Sequence, residues 1–288
     1  MERQIKSRLV TVFILLAAAL WSWAPTTVLE PACHAGQLCV AFLDVGQGDA
    51  IFIQSPTGTQ MLIDGGRGSA VLRELGAVMS ARDRTIDYIV ATHPDADHVG
   101  GLHDVLERYA IEHVIRTENE SDTPVWHAVE EAIREEGARV TYARRGQRID
   151  LGAGAVAEVF FPEGDMSESE SNTASIILKL TYGEHSWLLT GDAPKGIEEY
   201  LVLTEGQHLK STALKVGHHG SRTSTSELFL DEVEPQYAVI SSGKDNQYGH
   251  PHVEVTDLLF NKHIETYSTA EVGRVTFWSD GTELLVKK

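Results

Sequence analysis

Cysteine is scarce in this chain: Cys33 and Cys39 are the only two among 288 residues. Their spacing does not match a zinc thiolate site, so thiolate metal chemistry is excluded. In an oxidising compartment the two can pair across a short loop. Alternatively Cys39, which begins an apolar run, is a buried free thiol. Basic residues are also few. Lys and Arg number 24 against 42 Asp and Glu, a formal net charge of −18. That balance favours solubility and disfavours broad electrostatic capture of nucleic acid or an anionic membrane surface, while leaving room for a narrow basic or metal-lined cleft. There is no long repeat and no long low-complexity tract. The extended apolar run at 9–20 is interrupted by Thr11 and is shorter than the roughly 20 residues that a membrane span needs.

That run follows Arg3, Lys6 and Arg8 and precedes Trp21-Ser22-Trp23-Ala24, the layout of an export signal or of an uncleaved signal anchor. Residues 1–24 are therefore expected to be a signal peptide or anchor. Residues 25–36, with Pro25, Pro31 and Gly36, read as a linker, and 37–288 as one domain. The expected location is periplasmic or extracellular, with membrane contact only through an uncleaved N-terminal segment. A hydrophobic content of 42% and a charged content of 23% fit an ordinary globular domain with a sizeable core.

Short apolar runs separated by Gly, Pro and Asn punctuation predict strands at 38–44, 50–54, 60–64, 86–92, 111–115, 140–142, 148–151 and 156–161. Helical periodicity marks 71–79, 101–109 and 123–136. A second cluster predicts strands at 174–181, 186–189, 213–216, 237–241, 265–268, 274–278 and 283–286, with helices at 194–203, 224–232 and 252–262. The stretch 163–172 reads as an acidic surface loop. Two halves, each with strands followed by helices, suggest two sheets packed face to face with helices outside.

The chemistry concentrates in His93-Pro94-Asp95-Ala96-Asp97-His98, at the end of the strand 86–92 and before Gly100-Gly101. Four residues of metal-ligand type lie within six positions. Imidazoles and carboxylates alternating on a sharp turn can point into one pocket and hold divalent metal. Other polar residues recur where strands give way to Gly: Asp44, Asp49, Asp64, Asp192, the pair His218-His219, and His250 with His252. Asp44 and Asp64 suit turn-forming hydrogen bonds, and Asp64 also suits orienting a ligand His. Asp49 reads as structural, and His252 as the start of a helix. Ser221 and Arg222 suit phosphate contact or a solvated loop. The cluster Arg144 to Arg148 reads as a charged surface hairpin.

These motifs resemble the metallo-β-lactamase superfamily, whose signature is H-x-H-x-D-H. More narrowly, LDVGQGDA, LIDGG, THPDADHVGGL, the turn 172–175, LLTGDA, LKVGHHGS and YGHPH are similar, in order, to the soluble domain of the ComEC competence (DNA-uptake) family, across roughly 38–286. The resemblance implies a four-layer αββα sandwich. It implies His93 and Asp95 at a first metal position, Asp97 and His98 at a second, and Asp192 bridging them. His218 would complete the second position, with His219 as the alternative. Asp95 replaces the signature's second His, and Asn172 or Ser175 stands where a further His would complete the first position. Exchanging imidazole for carboxylate shifts preference from zinc toward manganese or magnesium, so two divalent ions, Mn2+ or Zn2+, are expected.

The activity so implied is hydrolysis of a phosphodiester or nucleic acid by a metal-bound hydroxide. Asp97 and Asp192 would position that hydroxide and take its proton, and His250 would bind the oxyanion or protonate the leaving group. Single-stranded DNA or a small phosphodiester is the expected substrate. Two rivals stand beside it: a lactone, thioester or β-lactam hydrolase on the same scaffold, and a secreted binding module that no longer turns over.

Overall fold

A computed structural model describes residues 31–288. Among the described residues, fifteen strands form two sheets. In chain order the strands are β1 Leu38–Phe42, β2 Ile51–Gln54, β3 Gln60–Ile63, β4 Thr85–Val90, β5 Ala110–Arg116, β6 Arg139–Tyr142, β7 Arg148–Gly152, β8 Ala155–Phe161, β9 Ile177–Tyr182, β10 His185–Leu189, β11 Ala213–Lys215, β12 Tyr237–Ile240, β13 Glu265–Ser268, β14 Val275–Ser279 and β15 Leu284–Lys287. The first sheet has the order β15-β14-β1-β2-β3-β4-β5-β6, and the second β13-β12-β11-β10-β9-β8-β7. The helices are α1 Ala70–Val78, α2 Ala96–Val99, α3 Leu102–Leu106, α4 Pro124–Glu136, α5 Lys195–Glu205, α6 Glu227–Val233, α7 Val253–Asn261 and α8 Thr269–Val272.

Side-chain alternation along the strands builds the layers. In β1, Leu38, Val40 and Phe42 join a core with Val159, Leu178, Leu180 and Trp187 of the second sheet. Cys39 and Ala41 point the other way, into a core with Val71, Leu75, Trp126 and Val129 of α1 and α4. A third core lies outside the second sheet, where Leu188, Leu214 and Ile240 meet Leu201, Phe229 and Val255 of α5, α6 and α7. Three apolar layers between four layers of structure make the expected αββα sandwich.

Local sequence explains the helices. Thr123 accepts a hydrogen bond from Trp126 N, Pro124 occupies the first turn, and Gly137 ends α4 in the left-handed conformation at φ +72°. Each is a favourable choice for its place. The buried residues Trp126, Val129, Ala132 and Ile133 form the stripe that faces the sheet.

Two expectations need correction. The chain is not two sequential halves: β14 pairs antiparallel with β1, so the last two strands complete the first sheet. Strand periodicity shows which residues alternate and leaves the partner open. Nor do residues 31–36 behave as a linker. Ala32 N donates to Ala77 O, Trp278 Nε1 donates to Ala32 O, and Cys33 is disulfide-bonded to Cys39. The expected signal at 1–24 lies outside the described residues. No helix among the described residues is long and apolar enough to cross a membrane.

Candidate metal centre

Loops at strand ends supply the site. Asp64 follows β3, His93 follows β4, Asp192 follows β10, His218 and His219 follow β11, and His250 follows β12. The run 93–98 turns from β4 into α2, where the Asp95 carbonyl accepts from His98 N at 2.9 Å. Glycine is required at two points of closest approach. A Cβ on Gly48 would stand 1.9 Å from the Asp97 carbonyl oxygen, and one on Gly101 would stand 2.1 Å from that of Gly65. These contacts press the loop 43–49 and the turn after β3 against the run that carries the ligands.

Asp64 orients two imidazoles at once. Its Oδ1 accepts from Thr92 N at 2.8 Å, and its Oδ2 accepts from Thr92 Oγ1 and from His98 Nδ1, both at 2.7 Å. Thr92 Oγ1 in turn lies 3.0 Å from His93 Nδ1. The hydroxyl gives its proton to Asp64, so it accepts the His93 Nδ1 proton. His219 Nδ1 donates to Ser241 O at 2.8 Å. All three rings are thereby oriented with Nδ1 engaged and Nε2 left to face the site. The Nε2 atoms of His93, His98 and His219 are buried and have no hydrogen-bond partner.

Two of those orphaned atoms, on His98 and His219, gather around Asp192. Its Oδ2 is 3.2 Å from His98 Nε2, 3.3 Å from His219 Nε2 and 3.7 Å from His218 Nε2. Asp97 Oδ2 is 3.5 Å from His219 Nε2. Metal–ligand bonds of about 2.1 Å in tetrahedral array place donor atoms about 3.4 Å apart, and the separations of Asp192 Oδ2 from His98 and His219 Nε2 and of Asp97 Oδ2 from His219 Nε2 match that spacing. The first position is poorer. His93 Nε2 faces Asp95 Oδ2 at 3.7 Å, and Asp95 is partly exposed and held by Ser171 Oγ at 2.6 Å. Ser175 Oγ binds Asp192 N at 3.2 Å and approaches His93 Nδ1 at 3.4 Å, which makes it a strut. Asn172 leaves its amide oxygen buried and unpartnered.

Charge in the site is tightly balanced. Burial and the neighbouring His98 push His93 down to about 3, so it is a neutral ligand at any ordinary pH. Burial works against the charged form of His98 and His219, but Asp192 and its neighbours outweigh it and hold both well above the usual imidazole range. Burial would raise Asp97; the close approach of the His219 ring and the charges of His98 and His219 overcome it and keep the carboxyl below its usual range.

The sequence expectations distribute as follows. His93, Asp95, Asp97, His98 and Asp192 converge on one region. Of the tandem pair, His219 joins the buried group, while His218 stands at the rim with Nδ1 3.2 Å from Thr223 Oγ1. Of the two alternatives for this position, the geometry favours His219 over His218; both have left-handed backbone, at φ +49° and +55°. His250 packs at the rim, its ring centroid 5.6 Å from that of His218, with Nδ1 buried and unpartnered. Burial and the adjacent His218 and His219 lower it to about 4. At neutral pH it can therefore donate a hydrogen bond but carries no extra proton for a leaving group. Arg144 pairs with Glu118, and Arg145 with Glu205 at 2.6 Å. His252 is the N-cap of α7.

Two residues escaped the sequence reading. Asp49, read as structural, belongs to a buried group with His98, Asp192 and His219 whose candidate ligand atoms all lie within 4.8 Å. Its carboxylate faces the Nδ1 edges of His219 and His98, at 3.4 and 3.9 Å, and pairs with Lys215 Nζ at 2.5 Å. It therefore braces the rings from behind. Lys215 is fully buried, and also donates to Gly191 O at 2.8 Å and to Asp192 Oδ1 at 3.4 Å. A lysine inside the apolar strand β11 was the available signal, since a buried ammonium must be paired.

Comparison with known proteins agrees with this geometry. A model of the metallo-beta-lactamase superfamily matches residues 43–244. The chain is 30% identical over 262 residues to ComE operon protein 3 of Bacillus subtilis (strain 168), covering 85% of this chain and 33% of that protein. It is 29% identical over 267 residues to competence protein ComA of Neisseria gonorrhoeae, covering 92% of this chain and 35% of that one. The chain thus spans about a third of the length of the curated relatives it matches. Among solved structures, the metallo-beta-lactamase fold protein YhfI from Bacillus subtilis superposes with a TM-score of 0.51 at 12% identity, over 80% of this chain and 95% of that one. A sandwich that brings buried imidazoles and carboxylates together at its strand ends, and a family match over most of its length, place this chain in the metallo-beta-lactamase superfamily of metal-dependent hydrolases.

Proposed function

We propose that the protein is an exported hydrolase that cuts phosphodiester bonds in nucleic acid, using two divalent ions. The observation that carries this reading is the gathering of His98 and His219 Nε2 about Asp192 Oδ2, with Asp97 beside His219 and with His93, whose ring lies 4.1 Å from that of His98, facing Asp95. Paired dications supply an acidified water and charge stabilisation for in-line attack at phosphorus. The protein's own part is positioning. Lys215 holds Asp192 Oδ1, which leaves Oδ2 free to ligate a metal bound there. Asp97 is placed to accept the proton of the attacking water, and the neutral ring of His250 to donate to the phosphoryl oxygen. The likeness to ComE operon protein 3 and competence protein ComA favours a nucleic-acid substrate. The disulfide Cys33–Cys39 favours an oxidising compartment and hence export.

The test is metal analysis of purified protein coupled to assays with manganese and with zinc on single-stranded DNA, bis-p-nitrophenyl phosphate, a lactone and a chromogenic cephalosporin. Cleavage of the two phosphodiesters, abolished by Asp97→Ala with the fold retained, is the expected result. Turnover of the lactone or cephalosporin alone would support the second reading, an ester or amide hydrolase, which the net charge of −18 favours. Less than one ion per chain and no turnover would leave a binding module.

A further inference from the structure

The loop between β12 and α7 carries an exposed aromatic ring beside the site. Tyr248 is 49% exposed, and its ring stacks on His250 at 5.7 Å between centroids and 24° between planes. His250 in turn lies 6.3 Å from the ring of His219. One imidazole therefore separates the tyrosine from the ligand set. The loop is built to hold this position. Asn246 Oδ1 accepts from Tyr248 N and His250 N at 3.1 and 3.0 Å, while its Nδ2 donates to Gly243 O and His250 O at 2.9 and 2.6 Å. Gly243 N is tied to Gln47 Oε1 at 3.1 Å, and His252 N to Gly220 O at 2.9 Å.

A chain with net charge −18 cannot draw much affinity for a polyanion from counterion release. Binding beyond the ions therefore draws chiefly on uncharged contacts, and stacking on an aromatic face is the one available to every base. We propose that Tyr248, backed by His250, is a platform on which a base of the substrate strand stacks, and that the preferred substrate is a single strand whose bases are free. This rests on the phosphodiester reading above and names its substrate class. Paired bases present no open face to the ring, so duplex is disfavoured.

The test uses manganese-supplied protein and two equal-length single strands, one of thymidine nucleotides and one abasic. The parent protein is expected to show KM lower by about tenfold for the base-bearing strand, a preference that Tyr248→Phe keeps and Tyr248→Ala brings close to one. A preference unchanged in Tyr248→Ala, or no preference in the parent, overturns the platform. If the parent cuts neither strand, the phosphodiester reading fails. Fluorescence anisotropy with the same labelled strands then decides the platform separately: base-dependent binding lost in Tyr248→Ala supports it, and base-independent binding overturns it.

Discussion

Asp64 is the residue on which two imidazoles depend. It contacts His98 directly and His93 through the Thr92 hydroxyl, so its removal frees both rings to rotate and to change tautomer. Asp64→Ala is expected to weaken manganese or zinc binding by about 10- to 100-fold, measured by competition with a chromogenic chelator. Gly48 makes a different demand. With φ at +125° and the Asp97 carbonyl in the space a methyl would fill, Gly48→Ala must displace the ligand run. A loss of at least about 2 kcal/mol in a denaturant titration, together with lowered metal occupancy, is the expected result.

At the scale of elements, the loop that carries His250 gives a sign for pH. Its folded pKa lies near 4, below the ordinary 6.5. A group lowered on folding contributes stability that is complete above 6.5 and lost as pH falls toward 4. The metal-free protein should therefore lose less stability between pH 6.5 and 4 when His250 is replaced by Asn, as followed by denaturant midpoints. Legibility also differs by element. The run His93 to His98 is a local turn, and Asp192 sits where an apolar strand ends, so both were visible in the sequence. His219 was not separable from His218, because the choice lies in backbone dihedrals and not in residue type. Asp49 stands on the loop between β1 and β2 and Lys215 at the end of β11, and they meet only after folding. The pairing of β14 with β1 was hidden for the same reason, since alternation fixes a face and not a neighbour.

For the whole molecule, the two sheets are joined through aromatic contacts. Trp187 of β10 is fully buried and meets Phe277 of β14 edge-on at 6.2 Å, which in turn meets Phe42 of β1 at 5.9 Å. Trp187→Ala is expected to cost about 3–5 kcal/mol in global unfolding. The disulfide acts at the other end of the scale. Cys33 and Cys39 are six residues apart, so the cross-link removes only a small loop from the unfolded ensemble, worth roughly 2 kcal/mol. Replacing both by Ala should lower the melting temperature by several degrees and leave the ligand geometry intact, as read by metal stoichiometry.

Lys215 carries a consequence of another kind. Its ammonium is covalently part of the chain, so no chelator can strip it from among the carboxylates it serves. The acidic cavity thus has a resident counterion from the moment the strands assemble. Small domains whose polypeptide stays shapeless until metal arrives have no such provision. Here the polypeptide can fold while empty and take up metal afterwards.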